Sequence, residues 1–157
     1  MYRLSTSMPF LLARVGLRMG TLFSQRLATY DLTLPMYRVL AALSEQPDQK
    51  LGELSAMTAV EMSTMSRLVG AMAARGLVSR HRPPGNERTV QINVTPKGAE
   101  LADTVRHEAE HYEEVAISTL DPGEIEKFKR TLARMYESLD VLESELVSNM
   151  PVHPARR

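Results

Sequence analysis

The pentapeptide His107-Glu108-Ala109-Glu110-His111 has the H-E-x-x-H spacing. On a helix that spacing puts two imidazoles and a general-base carboxylate on one face, the arrangement zinc proteases use. A hydrolytic zinc centre also needs a third protein ligand and an open coordination position in a partly dry cleft. The stretch from His107 to Glu114 is strongly acidic, no strand precedes it to hold a peptide, and nothing fixes a carboxylate opposite the two histidines. The sequence therefore predicts a solvated helical face here, with no metal, no cofactor and no catalytic residue. A zinc-dependent hydrolase is the minor alternative.

A second group of residues suits a different chemistry. Ser63, Thr64, Ser66 and Arg67 open a predicted helix from about Met62 to Arg75, and Arg80, Arg82 and Arg88 follow closely. Small hydroxyls let a backbone approach a DNA groove, and an arginine can take guanine bidentately. Singly, these residues read equally well as helix caps and surface arginines, and Arg75 as a partner of the helix dipole. Their position in the chain favours the nucleic-acid reading.

The formal net charge is zero, yet the charges are segregated. Glu61–Lys97 carries six Lys/Arg against two Asp/Glu, a net of +4, whereas Gly98–Val147 carries five against thirteen, a net of −8. A basic middle segment raises the prior for a polyanionic partner. A chain of 157 residues fits one domain or one protomer of an intertwined dimer. With no cysteine, a disulfide framework, a thiol nucleophile and thiolate metal sites are excluded, and a reducing compartment fits. Met1–Ser7 lacks the pattern of a signal peptide, and no apolar run approaches the roughly 20 residues of a membrane span. A soluble, cytoplasmic protein with no membrane partner is expected.

The elements that would position these residues follow from hydrophobic period. Met8–Ala28 reads as an amphipathic helix, and Thr33 caps a second that carries Met36, Val39, Leu40 and Leu43. A short helix from about Leu51 to Met57 precedes the Met62 helix, for which Gly76 is a left-handed terminator. The period then changes from 3.6 to 2. Leu77–Arg82 and Thr89–Val94 form a hairpin around Pro83-Pro84-Gly85-Asn86, with Val90, Ile92 and Val94 on one face. Thr95 and Pro96 start another helix, and Asp121-Pro122-Gly123-Glu124 caps the last. That last helix repeats Ile125, Phe128, Leu132, Met135, Leu139, Leu142 and Leu146 in alternating steps of three and four. So long a narrow seam predicts a dimerisation element, with an intramolecular helix pair as the other reading.

Three short helices and a ribbon make a winged helix-turn-helix, whose third helix fits the major groove and whose hairpin tip reaches phosphate or the minor groove. The expected fold is mainly α with a small β-hairpin wing. Its divisions are an N-terminal helix (1–32) of a dimerisation lobe, a DNA-binding region (33–97), C-terminal dimerisation helices (98–150) and a disordered tail (151–157). A dimeric adaptor that ignores DNA is the further alternative.

The stretch "LGELSAMTAVEMSTMSRLVGAMAARGLVSRHRPPGNERTVQINVTPKG", residues 51–98, resembles the DNA-binding core of the MarR-type transcriptional regulators. The resemblance rests on S-T-x-S-R-L, x-x-G-L-V-x-R, a wing arginine and V-T-P-K-G in this order. It implies a triangular homodimer that binds a pseudo-palindromic operator in double-stranded DNA. It further implies that Ser63, Ser66 and Arg67 meet the major groove and Arg88 the minor groove. Asn86 stands where the family often has aspartate; it can accept a hydrogen bond but supplies no full negative charge.

The stretch from Leu4 to Leu43 is similar, more narrowly, to members that control degradation of aromatic acids. The resemblance implies an effector, a small aromatic acid or its coenzyme A thioester, that binds between the two lobes and releases DNA. Arg14 and Arg18, one turn apart, would neutralise its carboxylate or phosphate, with Tyr37 and Arg38 nearby. Met8, Met19 and Met36 would line an adaptable apolar slot. Surface ion pairing for the arginines and core filling for the methionines stand as the plainer alternatives.

Overall fold

The structure, a computed structural model, describes residues 3–149 apart from 84 and 86–88. The tail 151–157 and the wing-tip residues Asn86 and Arg88 lie outside the described residues. The chain divides into two compact units, Met1–Glu114 and Val115–Arg157.

The first unit holds α1 (Met8–Ala28), α2 (Leu34–Glu45), α3 (Leu51–Thr58), α4 (Met62–Ala74), β1 (Val78–His81), β2 (Gln91–Val94) and most of α5 (Pro96–Ile117). Three of these helices, α1, α3 and α4, end in the same way. Asp31, Ala59 and Gly76 all take left-handed backbone, with φ of 54°, 54° and 69°. After each, an amide reaches back five residues: Leu32 to the Leu27 carbonyl, Val60 to Ser55 and Leu77 to Met72. Such ends satisfy orphan carbonyls and fold an apolar residue back onto the helix. Leu32, Val60 and Leu77 are accordingly buried. Glycine takes this conformation without strain, which is why Gly76 was legible, whereas Asp31 and Ala59 were not.

The core gathers Leu27, Leu40, Leu43, Leu54, Met65, Met72 and Ile92, all fully buried. The hairpin pairs antiparallel from Val78 opposite Val94 to His81 opposite Gln91, shorter at both strands than the sequence suggested. Of the alternating face expected on the second strand, Ile92 is fully buried while Val90 and Val94 are half-buried. A third backbone segment joins the sheet, because Gln49 forms an antiparallel bridge with Ile92, whose amide donates to the Gln49 carbonyl at 2.9 Å.

The Thr-Pro-Lys-Gly turn into α5 clamps the end of α4. The Thr95 hydroxyl lies 2.6 Å from the Gly76 carbonyl and accepts from the Gly98 amide at 3.1 Å, and Lys97 donates to the Arg75 carbonyl at 2.9 Å. A Cβ on Gly98 would stand 2.0 Å from the Leu77 carbonyl oxygen, so only glycine fits there.

The second unit contains α6 (Pro122–Ser138) and α7 (Asp140–Asn149). The expected cap of α6 is present: Asp121 accepts from the Glu124 amide, and Glu124 accepts from the Asp121 amide, both at 2.9 Å. The single last helix predicted from the repeat is instead two, interrupted at Leu139. There the Leu139 amide bonds three residues back to Tyr136, and the Leu142 amide three back to Leu139. Ser138 and Asp140 flank the break, residues that compete locally with helical bonds and favour helix ends. Among the described residues no helix is long and apolar enough to cross a membrane.

Candidate nucleic-acid interface

Helix α4 has two unlike faces. Met65, Val69 and Met72 are fully buried, and Ser63, Thr64, Ser66 and Arg67 are all exposed. The period of the apolar residues fixes that division, so the four polar residues of the first two turns share the free side. At the tip, Glu61 accepts from the Ser63 and Thr64 amides at 3.1 and 3.3 Å and from the Ser63 hydroxyl. The Ser63 hydroxyl first, and then the two amides, hold its carboxyl below the usual glutamate range.

Arg80, exposed on β1, donates to the Ser66 carbonyl at 3.3 Å, tying the hairpin to the middle of α4. The Arg80 guanidinium passes over Gly70 at a distance where even a Cβ would make only ordinary contact, 3.5 Å. A cavity of about 430 Å³ has Ser66, Arg80, Arg82 and Ile92 in its walls. Arg67 and Arg82 are both exposed, and the Arg67 charge also contributes to holding the Glu61 carboxyl low. Arg75 turns elsewhere: it pairs with Asp31 at 3.0 Å at the junction of α1 and α2.

Sequence reasoning missed the residues that brace this face. Gln49 is buried, and its amide donates to the Ala42 and Gln46 carbonyls at 2.9 and 2.8 Å. Asp48, left-handed at φ 60°, exchanges two hydrogen bonds with Asn93 at 2.6 and 2.7 Å and meets His81 Nε2 at 3.1 Å. The polar run Gln46–Lys50 reads as a plain loop, and only the fold shows that it carries the base of the hairpin. Glu61 was missed because glutamate is not a favoured N-cap residue.

The residues singled out for an effector are dispersed: Met8 is exposed, and the Met36 sulfur lies 3.4 Å from the Arg75 guanidinium. Arg14 and Arg18 are exposed on α1, Arg14 with its guanidinium 5.6 Å from the Phe10 ring centre, and Met19 is 36% exposed. Arg38 donates to the Thr58 carbonyl at 3.4 Å and so reinforces the end of α3. Tyr37 packs edge-on against Phe23, centroids 5.1 Å apart, and Tyr112 meets the same ring at 5.3 Å. Burial first, then Glu110 and Glu45, push the Tyr37 hydroxyl above the ordinary tyrosine range, which keeps it a neutral donor. An open apolar groove runs along Gly16, Gly20, Ser24 and Ala28 of α1, with none of these effector candidates in its walls.

The H-E-x-x-H face is not uniformly solvated, which corrects the sequence reading. Glu108 is partly buried, ion-paired with Arg26 and bonded to the Tyr30 hydroxyl at 3.3 Å. The Arg26 contact is the main cause that holds its carboxyl below the usual range. The glutamate that a metalloprotease would use as base is here a link between α1 and α5. His107 lies 3.3 Å from Glu110, and among the described residues no three His, Cys, Asp or Glu are grouped to hold a metal.

These elements, three short helices, a hairpin and an exposed polar helix face carrying Arg67, define a winged helix-turn-helix. A family model described as "Transcriptional regulator SarA/Rot" matches residues 21–105. The chain belongs to that MarR-like winged-helix family of transcriptional regulators, and it is a regulator of MarR type rather than an enzyme. The HTH-type transcriptional repressor NicR of Pseudomonas putida is 28% identical over 137 residues, which span 87% of each chain. A MarR-family regulator from Silicibacter pomeroyi superposes with a TM-score of 0.77 at 25% identity, covering 97% of this chain and 95% of its own. BpsR of Bordetella bronchiseptica, whose DNA binding is regulated by 6-hydroxynicotinic acid, superposes with a TM-score of 0.78 at 26% identity, covering 87% and 97%.

Proposed function

We propose that the protein is a homodimeric repressor that binds a pseudo-palindromic operator and leaves it when a small aromatic acid, or its coenzyme A thioester, is bound. The observation that carries the DNA reading is the exposed set Ser63, Thr64, Ser66 and Arg67 on the side of α4 opposite its buried methionines, with Arg80 tied beside it. In this reading the hydroxyls approach phosphate or base edges, Arg67 takes a guanine, and Arg80 and Arg82 neutralise backbone. Asn86 and Arg88 are assigned to the wing tip by sequence alone. Residues 33–97 are the DNA-binding region, with 1–32 and 98–150 supplying the dimer contacts. Leu11, Val15 and Leu22 of α1, and Phe128, Leu142 and Leu146 of the second unit, are all exposed, which supports a second copy as their cover.

For the effector, Arg14 and Arg18 on α1 would meet its carboxylate or phosphate, Met19 an apolar part, and Tyr37, kept neutral by burial, would donate a hydrogen bond. The regulation of BpsR by 6-hydroxynicotinic acid supports an aromatic carboxylate. The protein would act in the cytoplasm, where its operator is.

The test is a titration of the full chain against duplex from its own upstream region across a salt series. Affinity should fall steeply with salt, drop in Arg67→Ala, and collapse with one member of a panel of aromatic acids and their coenzyme A thioesters. Equal affinity for a scrambled duplex would overturn the reading.

A further inference from the structure

This inference rests on the proposed DNA reading and concerns Glu61. From Glu61 to Asn86 the sequence holds no other carboxylate, although this segment carries Arg67, Arg75, Arg80 and Arg82. This carboxylate stands at the end of α4 that would enter the groove. It also takes the Ser63 and Thr64 amides, which would otherwise be free to bond an approaching anion. Because the Ser63 hydroxyl donates to the same carboxylate, only its acceptor lone pairs remain for DNA. The Glu61 carboxylate is therefore the charged acceptor of the tip, whereas Arg67 one turn after Ser63 is a donor.

We propose that Glu61 is a specificity-determining residue: its carboxylate excludes phosphate from the first turn of α4 and accepts a hydrogen bond from the exocyclic amino group of a cytosine. Like charge disfavours phosphate at this position, since the amides that would compensate it are already bonded. In the major groove, cytosine presents the N4 donor that a carboxylate matches, while guanine presents only acceptors there. Acceptor Glu61 at the tip of α4 and donor Arg67 further along it then read cytosine and guanine with opposite polarity. Held below the usual glutamate range, Glu61 stays ionised throughout the neutral region.

The experiment compares the full-length protein with Glu61→Gln and Glu61→Ser, using the protein's own upstream duplex and a scrambled duplex over a salt series. Glutamine keeps an acceptor without charge, and serine is a favoured N-cap, so both variants preserve the start of the helix; thermal melting checks this. Both should bind scrambled DNA more tightly, with the log–log salt slope steeper by about 1, and the preference for the upstream duplex should shrink roughly five- to hundredfold. Unchanged slopes and preference in both variants, with a wild type that does discriminate, would reduce Glu61 to a helix cap and overturn this inference alone. A wild type indifferent to sequence would overturn the DNA reading and this inference with it.

Discussion

Helices α4 and α6 are both amphipathic, but they end in opposite circumstances. The apolar face of α4 is fully buried at Met65, Val69 and Met72. Helix α6, the most strongly amphipathic of the chain, has no buried residue, and Phe128 and Tyr136 are 46% and 71% exposed. Burying a large side chain is worth about 1.5–3 kcal/mol, so leaving a whole stripe in water is a standing penalty. The contrast teaches that an amphipathic pattern announces that a partner exists and leaves open where it is. For α4 the partner lies in the same unit; for α6 and α7 a second copy of the chain is the partner proposed above.

The sharpest way to break that comparison is to charge the uncovered face. Phe128→Glu combined with Leu142→Glu should give a monomer by sedimentation at micromolar concentration, with the helical signal of the first unit retained. Loss of paired binding should weaken the DNA complex roughly 10²–10⁴-fold. A double variant that stayed dimeric would place the clasp elsewhere.

The next contrast lies in stability. Met65→Ala should lower unfolding free energy by about 2–5 kcal/mol in denaturant titrations. Leu142→Ala, measured at concentrations where only monomer exists, should stay within roughly 0.5 kcal/mol of the parent. Comparable losses from the two would erase the distinction between a covered and an uncovered face.

Gly98→Ala probes what anchors the covered helix. Its methyl would overlap the Leu77 carbonyl, so a loss of about 1–3 kcal/mol is expected by the same titration. The smallest effect belongs to Glu108. Its folded carboxyl titrates below the usual range because Arg26 bonds it, so its stabilising contribution is complete above the unfolded value and disappears as pH falls through the folded one. Glu108→Gln should therefore melt slightly below the parent at neutral pH and together with it in strong acid. A gap that persisted in acid would show that packing, not charge, is responsible.

Local rules made much of this protein readable in advance. Period 3.6 located α1, α2 and α4, period 2 located the hairpin, and the caps at Thr33, Gly76 and Asp121 needed only neighbouring residues. The polar side of α4 was legible for the same reason, because burying one face of a helix dictates the other. What local rules could not reach was any relation between residues far apart in the chain. Asp48 with His81 and Asn93, Glu108 with Arg26, and Gly98 against Leu77 are set by tertiary packing. The break at Leu139 escaped because a heptad repeat continues across it undisturbed while the hydrogen bonds beneath it change. Sequence thus determined which surfaces had to be apolar and which polar; the folded chain alone decided which of them found partners, since burial depends on whatever lies opposite.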